Sequence, residues 1–535
     1  MIRDTLEQSL RDALINIGVE PPATINLERP ARREHGDWSS NVALASAKAA
    51  GRKPRDLAGE LVAELEQHPP THVERVDIAG PGFVNFHLRP SWLLDVLRKV
   101  VEQGEAGYAR ADIGDGTRVN IEFVSANPTG PLHAGGGRWA AYGDALANLL
   151  ERCGYVPHRE YYLNDRGVQM NLFGASLAAR KSGAPLPEDG YVGEYIVEWA
   201  SEMPDDADAV EWGYERVKRD LAETLRSIGV EFDTWFSERT LVSSGAVERT
   251  LQALRDRGAA YDADGAVWLR APNEDDQDEG WVLVKSNGEP TYLLPDLAYH
   301  EDKAERGWQL LIDVWGSDHG GHVPKMKSGW SALGHEPESL EIILGQLVKL
   351  VRGGEEVRLS KRAGTIVLLA DLIDAVGTDA ARLTFLLQSL NTTQTIDLDV
   401  ITAQTMENPV FYVQMAHARI AGIARRAADV GIARAPLADV DLSLLTHERE
   451  LDVLRSLSEL PDTVVIACRE RAPHKITTWV RELAAAFHGF YHDCYVIGEG
   501  VSPELTQARL WLVESARTGL AIGLDLLGVS APETM

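Results

Sequence analysis

Cysteine is scarce in this chain, with three residues among 535, at Cys153, Cys468 and Cys494. They lie far apart in the sequence, and none belongs to a Cys-x-x-Cys pair. A disulfide framework and a structural zinc site both depend on paired or closely spaced cysteines, so the sequence argues against either. We therefore expect three buried thiols that act as small hydrophobic side chains.

Long apolar segments and an excess of basic charge are also missing. No run of about 18 uncharged apolar residues occurs, which argues against a membrane-spanning helix. The first seven residues carry charge and lack the apolar stretch of a signal peptide, so we expect a cytoplasmic protein. Lys and Arg number 53 against 81 Asp and Glu, a formal net charge of −28. This acidity argues against a general nucleic-acid binder but leaves room for local basic patches.

The patterns that are present divide the chain into three parts. Residues 1–105 combine an amphipathic first helix with alternating strand-like stretches, which predicts a small α+β module. Residues 117–405 begin with the order strand, Gly-rich loop, helix, strand, which is typical of a Rossmann-type nucleotide-binding unit. An acidic insertion is expected at about 167–280, and residues 406–535 are almost wholly helical in pattern. The fold class is therefore multidomain α/β, with an N-terminal α+β module and a C-terminal all-α bundle.

The first chemical signal is a Pro- and Gly-rich loop that contains His133. A strand-like stretch at 118–124 precedes this loop, and a helix pattern follows it. Gly135 and Gly136 allow close approach of the backbone to a nucleotide, and a helix N-terminus favours phosphate. An imidazole here can hydrogen-bond phosphate oxygens as charge builds up during adenylyl transfer. A turn histidine without a ligand is the alternative.

A second Gly-bounded loop, at 358–364, places Lys361 and Arg362 next to Ser360. Two adjacent cations can neutralise a pyrophosphate leaving group. Taken alone, this short stretch fits an ordinary solvated basic turn equally well.

Together, the two loops resemble the HIGH and KMSKS signatures of class I aminoacyl-tRNA synthetases, and their separation of about 225 residues suits that family. Further stretches are similar to the arginyl-tRNA synthetases in particular. Four of them resemble signature blocks of that family, at 122–133, 290–300, 314–322 and 411–420. Two others match its N-terminal module, at 35–41 and 79–86. The resemblance covers nearly the whole chain, and only the insertion is poorly matched.

The resemblance implies an arginine–tRNA ligase with a class I catalytic domain, an N-terminal tRNA-binding module and a C-terminal anticodon-binding bundle. ATP with Mg²⁺ is the expected cofactor, and L-arginine and tRNA(Arg) are the expected partners. No structural zinc is expected, and monomers are usual in this family. The first reaction step commonly requires the RNA there.

The resemblance also assigns roles to individual residues. His133 and Lys361 are the expected catalytic residues. The expected ATP-binding set is His133, Gly135, Gly136, Ser360, Lys361 and Arg362. The expected arginine-binding set is Glu122, Ser125, Asn127, His133, Tyr292, Asp296 and His319. The expected tRNA-binding set is Arg32, Arg33, Tyr412, Arg419 and Arg426.

Physical chemistry agrees with the assignment of Glu122 and Asp296. A guanidinium needs planar acceptors, which carboxylates supply. Asp296 lies four residues after Tyr292, so both share one face if the segment is helical. The alternatives are that Glu122 pairs with a neighbouring arginine and that Tyr292 lies in the core.

The chain departs from the family pattern in both signatures. Gly136 stands at the usual position of the second signature histidine, and glycine N–H groups or Arg138 are candidates to replace it. In the second signature, Arg358 and Leu359 replace Lys and Met.

The basic residues expected to contact RNA occur in two small groups, near the start of the chain and in the first C-terminal helix. Arg419 and Arg426 are spaced to share one helical face. Tyr412 is available to stack on splayed anticodon bases. A solvated, salt-bridged helix face is the alternative.

Four other functions compete with the arginyl interpretation. A cysteinyl enzyme needs zinc-ligand cysteines, and a glutamyl enzyme needs basic residues where Glu122 and Asp296 stand. A small-molecule nucleotidyltransferase shares the first loop but seldom needs a C-terminal helical domain. A non-catalytic RNA-binding relative is disfavoured by the joint presence of His133, Ser360 and Lys361.

Overall fold

The computed structural model describes residues 2–30, 32–270, 280–357 and 367–535. Its first hundred residues contain four helices and a four-stranded sheet. The elements are α1 (Ile2–Asn16), β1 (Leu27–Glu28), β2 (Trp38–Ser40), α2 (Val42–Ala50), α3 (Pro54–Gln67), β3 (Val73–Ala79), β4 (Phe83–Leu88) and α4 (Ser91–Gly107). The sheet has the order β1-β2-β4-β3, and all its pairings are antiparallel.

The first helix carries the apolar face that its sequence predicts. Leu6, Leu10 and Leu14 are fully buried, one turn apart, so α1 packs this stripe into the core. The next apolar residue at helical spacing, Ile17, lies beyond the helix. The helix ends because Gly18 adopts a positive φ of 75°.

The middle of the chain builds a parallel sheet flanked by helices. The elements are β5 (Arg118–Glu122), α5 (Ala134–Arg152), β6 (Val156–Leu163), α6 (Gly167–Ser182), α7 (Glu194–Glu202), α8 (Ala209–Ser227), β7 (Thr234–Ser237), α9 (Glu238–Ser243), α10 (Ala246–Asp256), β8 (Ala260–Ala263), β9 (Ala266–Leu269), β10 (Trp281–Val284), α11 (Leu293–Glu305), β11 (Leu310–Gly316), α12 (Val323–Ala332) and β12 (Leu340–Gly345).

The five-stranded sheet has the order β12-β11-β5-β6-β7, and every pairing in it is parallel. The chain first builds outward from β5 through β6 to β7, then returns to place β11 and β12 on the other side of β5. This is the strand order of a Rossmann-type sheet, and the order reverses between β5 and β11. In such sheets ligands bind at the carboxyl ends of the two strands at this switch point.

The segment predicted as an insertion, 167–280, is not separate from this sheet. It contains β7, which pairs with β6 from Glu160↔Thr234 to Leu163↔Ser237. The boundaries expected for the insertion therefore need correction, because a four-residue strand is too short to show a period of two. Within the same segment, β8 and β9 form a hairpin in antiparallel register, with β10 as a third strand.

The remaining elements complete the sequence-predicted order. They are β13 (Val348–Arg352), β14 (Glu355–Val357), α13 (Leu369–Val376), α14 (Thr378–Phe385), β15 (Gln394–Asp397), α15 (Leu398–Thr402), α16 (Pro409–Asp429), α17 (Glu448–Arg469), α18 (His474–Asp493) and α19 (Pro503–Leu526). Strand β13 pairs in parallel with β15 and antiparallel with β14. The helical character predicted for the C-terminal part is confirmed.

The chain forms two compact units. One consists of Met1–Gln103, Ala427–Ser458 and Gly489–Ala516, and the other of Gly104–Arg426, Glu459–His488 and Arg517–Met535. The five-stranded sheet belongs to the second unit. All three cysteines are buried, as predicted. Within the described ranges, no helix combines the length and apolar character needed to cross a membrane.

Candidate active site at the ends of two parallel strands

Two acidic residues face each other across the switch point of the sheet. Glu122 is the last residue of β5, and it is the register partner of Asp313 on β11. Both side chains are almost completely buried. Two carboxylates side by side in a buried place repel each other, so the site requires a cation between them.

Lys303 on α11 supplies this cation. Its Nζ donates to Oε2 of Glu122 at 2.8 Å and to Oδ1 of Asp313 at 2.9 Å. The lysine side chain has no exposed surface, and Nζ also lies 4.3 Å from the ring centre of Tyr299. Removing one partner from a buried ion pair typically costs ~3–5 kcal/mol, so these three groups depend on one another.

His300 extends the chain of charges from Asp313. Its Nε2 donates to Oδ2 of Asp313 at 2.6 Å, and its Nδ1 donates to the backbone carbonyl of Asp296 at 2.7 Å. Both partners are acceptors, so both ring nitrogens carry hydrogen and the ring is an imidazolium. Burial alone would lower the pKa of His300, but the charge of Asp313 raises it above its usual value.

The pKa values of the cluster follow from burial and from these contacts. Burial raises the pKa of Glu122, and the charge of Lys303 offsets only part of that rise. Burial acts the same way on Asp313, but Lys303 and His300 together hold its pKa well below the usual range. For Lys303 burial would lower the pKa, yet Asp313 and Glu122 raise it. Glu122 is therefore the carboxylate whose charge is most sensitive to its neighbours.

A second buried cluster lies next to the first and is centred on Glu160 of β6. Arg306 donates to both carboxylate oxygens of Glu160, at 2.6 and 2.8 Å. Tyr299 and Asn120 donate to the same carboxylate at 2.7 and 3.0 Å. Burial would raise the pKa of Glu160, but Arg306 and Lys303 keep it below the usual range. This cluster fixes the base of α11 against the sheet.

The turn that follows β5 holds Glu122 from the other side. Oγ of Ser125 donates to Oε1 of Glu122 at 2.9 Å and accepts from the backbone N–H of Tyr162 at 3.1 Å. Val124 and Ser125 both have positive φ, 68° and 38°, which is costly for residues other than glycine. Strain of this kind is maintained where the surrounding structure fixes the backbone, and it is common at active sites.

The predicted pair on α11 has the geometry that the sequence indicates. The helix begins directly after Tyr292, and the N–H of Asp296 donates to the carbonyl of Tyr292, so both residues occupy one helical turn. Tyr292 is 86% exposed, which rules out the alternative of a core residue. The alternative for Glu122 was an ion pair with a neighbouring arginine. Glu122 does form an ion pair, but its partner is Lys303.

The third signature-like stretch brings His322 into direct contact with Asp296, whereas His319, which the resemblance assigns to arginine binding, has no such contact. Nε2 of His322 lies 2.7 Å from Oδ2 of Asp296, and its ring lies beside Trp315. The predicted His319 is largely exposed, and its nearest acidic oxygen, on Asp318, is 3.7 Å away. Asn127, also predicted, donates to Oε1 of Gln169 at 3.0 Å.

His133 caps the N-terminus of α5. Its Nδ1 accepts from the backbone N–H of Gly136 at 3.2 Å, so the ring hydrogen of the neutral imidazole lies on Nε2. Gly135 permits this fold-back, since a Cβ at its position would lie 2.9 Å from Nδ1. The imidazole thus lies at a helix N-terminus, where anions are favoured.

Two of the candidates for replacing the missing signature histidine, the N–H of Gly136 and Arg138, are engaged within the chain. The N–H of Gly136 also donates to the carbonyl of His133 at 2.8 Å and is therefore engaged within the chain. Arg138 is fully buried, and its guanidinium donates to the carbonyls of Gln346, Ser389 and Thr392. Burial lowers the pKa of Arg138 to about 10, which still leaves it charged at neutral pH.

The second predicted loop, with Arg358, Ser360, Lys361 and Arg362, lies outside the described residues. The described chain resumes at Val367, whose carbonyl accepts from the N–H of Ala134 at 2.9 Å. The N–H of Leu369 in turn donates to the carbonyl of Leu132 at 2.9 Å. The chain that follows the second loop is therefore hydrogen-bonded to the first loop.

The predicted RNA-contacting residues of α16 meet α18 in the second unit. Nη1 of Arg419 donates to Nδ1 of His488 at 2.9 Å, and Nε2 of His488 donates to the carbonyl of Tyr412 at 3.0 Å. Tyr412 is half-buried and lines a groove of about 410 Å³ together with Arg481. Arg426 is exposed at the far end of the same helix.

In the first unit, the side chain of only one of the two predicted basic residues is described. Nη1 of Arg32 lies 3.4 Å from Oε1 of Glu34, and the side chain of Arg33 is outside the described structure. The guanidinium of Arg29 lies 4.8 Å above the ring of Trp38.

Sequence reasoning missed the residues that organise this site, namely Lys303, His300 and Asp313. A signal for two of them was present. Tyr292, Asp296, His300 and Lys303 follow one another at spacings of four, four and three, which is one face of a helix.

No group of three or more His, Cys, Asp or Glu side chains that could hold a metal ion occurs in the part of the chain that the structure describes.

Comparison with known proteins identifies two segments. Residues 4–88 match the arginyl tRNA synthetase N-terminal domain, and residues 413–535 match the DALR anticodon binding domain.

Relatives match along the full length. An arginine–tRNA ligase from Frankia alni is 46% identical, over 97% of this chain and 96% of the relative. Another from Bacillus licheniformis is 41% identical, over 100% of this chain and 99% of the relative. The solved structure of Thermus thermophilus arginyl-tRNA synthetase, 23% identical, superposes with a TM-score of 0.79 and covers 100% of both chains.

Proposed function

Because the chain belongs to the arginyl-tRNA synthetase family, we propose that the site at the ends of β5 and β11 activates L-arginine with ATP and passes it to tRNA(Arg). The reaction is the ligation of arginine to tRNA. The arginine carboxylate attacks the α-phosphate of ATP, and pyrophosphate leaves. A hydroxyl of the 3′-terminal ribose then attacks the arginyl carbonyl carbon, and AMP leaves. The family membership removes the cysteinyl, glutamyl and small-molecule nucleotidyltransferase alternatives.

One observation supports the arginine pocket most directly. Glu122 and Asp296 come from different elements at the switch point, and each carboxylate is held by a neighbouring cation or imidazole. Two oriented carboxylates suit a planar guanidinium, which offers five N–H donors in a fixed fork. We assign Glu122, Asp296 and Tyr292 to the arginine side chain.

The α-amino and carboxylate groups of arginine are assigned to the loop after β5. Asn127 and His133 are our candidates for direct contact. Ser125 was predicted to make such a contact too, but both of its hydrogen bonds are to the chain, so it acts on arginine by holding Glu122. We keep His319 as a residue near the pocket and give the direct contact with Asp296 to His322.

For ATP, the proposal relies on the N-terminus of α5. The Nε2–H of His133 is a suitable donor to phosphate oxygens as they gain charge. Gly135 and Gly136 allow the nucleotide to approach the backbone. We assign Ser360, Lys361 and Arg362 of the second loop to the leaving pyrophosphate, with His133 and Lys361 as the catalytic residues.

Mg²⁺ is the other expected cofactor. The described residues provide no cluster of carboxylates for it. We propose that Mg²⁺ arrives bound to the phosphates of ATP, which suits an ion that keeps most of its water ligands. No step is assigned to an ion held by the protein.

tRNA binding follows from the anticodon-binding domain at 413–535. We propose that Tyr412, Arg419 and Arg426 contact the RNA from α16, and that Arg32 and Arg33 contact it from the N-terminal module. The three-part division at 1–105, 117–405 and 406–535 is proposed as the functional organisation, together with a monomeric state and a cytoplasmic location.

The test of the pocket is aminoacylation of total tRNA with labelled arginine, comparing wild type with Glu122→Gln. We expect this variant to raise the KM for arginine by about 10- to 100-fold, because a hydrogen bond to a charged group contributes ~1.5–3 kcal/mol. Glu215→Gln, on the exposed side of α8, is the matched control and should behave as wild type. An unchanged KM in Glu122→Gln would remove Glu122 from the pocket.

A further inference from the structure

In the proposed function, Glu122 binds arginine through its carboxylate. Both oxygens of that carboxylate already accept hydrogen bonds from the chain. Oε1 accepts from Ser125, and Oε2 accepts from Lys303. A carboxylate has about four lone-pair sites, so about two remain for a ligand. The contacts with Ser125 and Lys303 therefore fix which sites face the pocket.

Lys303 is itself held in place by a second carboxylate. Asp313 binds its Nζ at 2.9 Å, and His300 binds the other oxygen of Asp313. The four side chains form one line of alternating charge: Glu122 negative, Lys303 positive, Asp313 negative, His300 positive. The line continues through the carbonyl of Asp296, the residue that carries the second pocket carboxylate.

We propose that Lys303 is a positioning residue for arginine recognition, which orients Glu122 and places a positive charge against its carboxylate, and that Asp313 and His300 hold Lys303 for this task. This inference rests on the proposed function. One face of α11 then has two roles. Tyr292 and Asp296 contact the substrate, and His300 and Lys303 support the carboxylate of Glu122.

The electrostatic reason is the position of Glu122 at a buried strand end. Titratable groups face it from three elements: Lys303, His300 and Tyr299 of α11, Asp313 of β11, and Glu160 and Tyr162 of β6. The acidic ones disfavour a further negative charge, and Lys303 is the cation in direct contact with Glu122. Without Lys303, Glu122 takes up a proton at higher pH and loses its attraction for a guanidinium.

The experiment measures the KM for arginine and kcat across about pH 5 to 8, by pyrophosphate exchange with tRNA present. In Lys303→Met we expect KM to rise, with a smaller change in kcat. The pH at which KM increases on acidification should move upward relative to wild type. One pKa unit of such a shift corresponds to about tenfold in KM below both midpoints.

Asp313→Asn should act in the opposite direction. The asparagine oxygen can still accept from Lys303, so Lys303 stays in place, while a negative charge next to Glu122 is removed. The midpoint should therefore move downward. A merely structural role for either residue predicts no such pair of opposite shifts. If Lys303→Met does not fold, the downward shift in Asp313→Asn decides the question.

Two controls complete the design. Lys181→Met removes an ion-paired lysine of α6, 3.0 Å from Asp205, and should leave the profile unchanged. The double variant Glu122→Gln/Lys303→Met should lose the pH-dependent part of KM altogether.

Two results distinguish a failure of this inference from a failure of the proposed function. Wild type that shows no exchange with arginine overturns the proposed function, and the inference with it. Active wild type with an unchanged midpoint in both Lys303→Met and Asp313→Asn overturns the inference alone.

Discussion

His322 Nε2 lies 2.7 Å from Oδ2 of Asp296, and this contact orients the only pocket carboxylate that we assign to a helix. The side chain of Asp296 keeps about a third of its surface exposed, so it is accessible to a ligand. Trp315 packs beside the His322 ring and limits its movement.

Asp296→Asn should therefore raise the KM for arginine by about 10- to 100-fold, since a hydrogen bond between charged groups contributes ~1.5–3 kcal/mol. His322→Gln keeps a donor near Asp296 and should have a smaller effect of the same sign. Steady-state aminoacylation at varied arginine measures both. A larger effect of His322→Gln than of Asp296→Asn would mean that the histidine, and not the carboxylate, contacts arginine.

Gly143 in α5 lies under the ring of Phe123, the residue after Glu122. A Cβ at this position would lie 2.2 Å from Cγ of Phe123, so Gly143→Ala forces the ring and the strand end to move. We expect a loss of about 1–3 kcal/mol in the free energy of unfolding, as is typical of overpacking. Activity should fall as well, because Glu122 is displaced.

The matched control for this substitution is Gly422→Ala in α16. Its Cβ would have no neighbour closer than 3.9 Å, so the change should stabilise by about 0.4–1 kcal/mol. Urea unfolding of both variants tests the pair. Equal effects of the same sign would contradict the packing argument.

Arg138 should matter for stability and not for chemistry. Arg138→Met leaves the carbonyls of Gln346, Ser389 and Thr392 without this donor, and an unsatisfied buried group costs ~1–3 kcal/mol. We expect a clearly lower melting temperature. The exchange rate per folded molecule should be unchanged at a temperature well below the transition, and a large loss there would return Arg138 to the active site.

The protonated ring of His300 should make the stability of the fold depend on pH. Its pKa in the folded state is raised above 6.5, so its stabilising contribution is complete below that pH and is lost as pH rises through the folded pKa. The difference in melting temperature between wild type and His300→Gln should thus be larger at about pH 6 than at about pH 9. His68→Gln, an exposed residue near the end of α3, is the control. A gap that widens towards high pH would contradict the imidazolium assignment.

Sequence patterns were sufficient for the parts of the fold that depend on local order. Strand β5, the loop with His133 and helix α5 follow one another with clear turn residues, and the common face of Tyr292 and Asp296 needs only helical spacing. Strand β7 was missed because four residues carry too little periodicity. It is defined by its pairing with β6, some seventy residues earlier.

The buried ion pairs could not be predicted in the same way. A lysine in a helix of mixed composition indicates a solvated face, because lysine is rarely buried without a partner. The partners of Lys303 are Glu122, 181 residues away, and Asp313, and only the folded sheet brings them together. The choice of His322 over His319 likewise depends on the exact path of the turn after β11.

The most direct test of the account is ATP–pyrophosphate exchange with arginine, glutamate, cysteine and lysine, each with and without total tRNA. We predict exchange with arginine alone among the four, and more of it when RNA is present. Exchange with another amino acid in place of arginine would contradict the assignment of Glu122 and Asp296. No exchange with any of them, with or without RNA, would make this chain a non-catalytic relative, with Gly136 in the first signature as the leading cause.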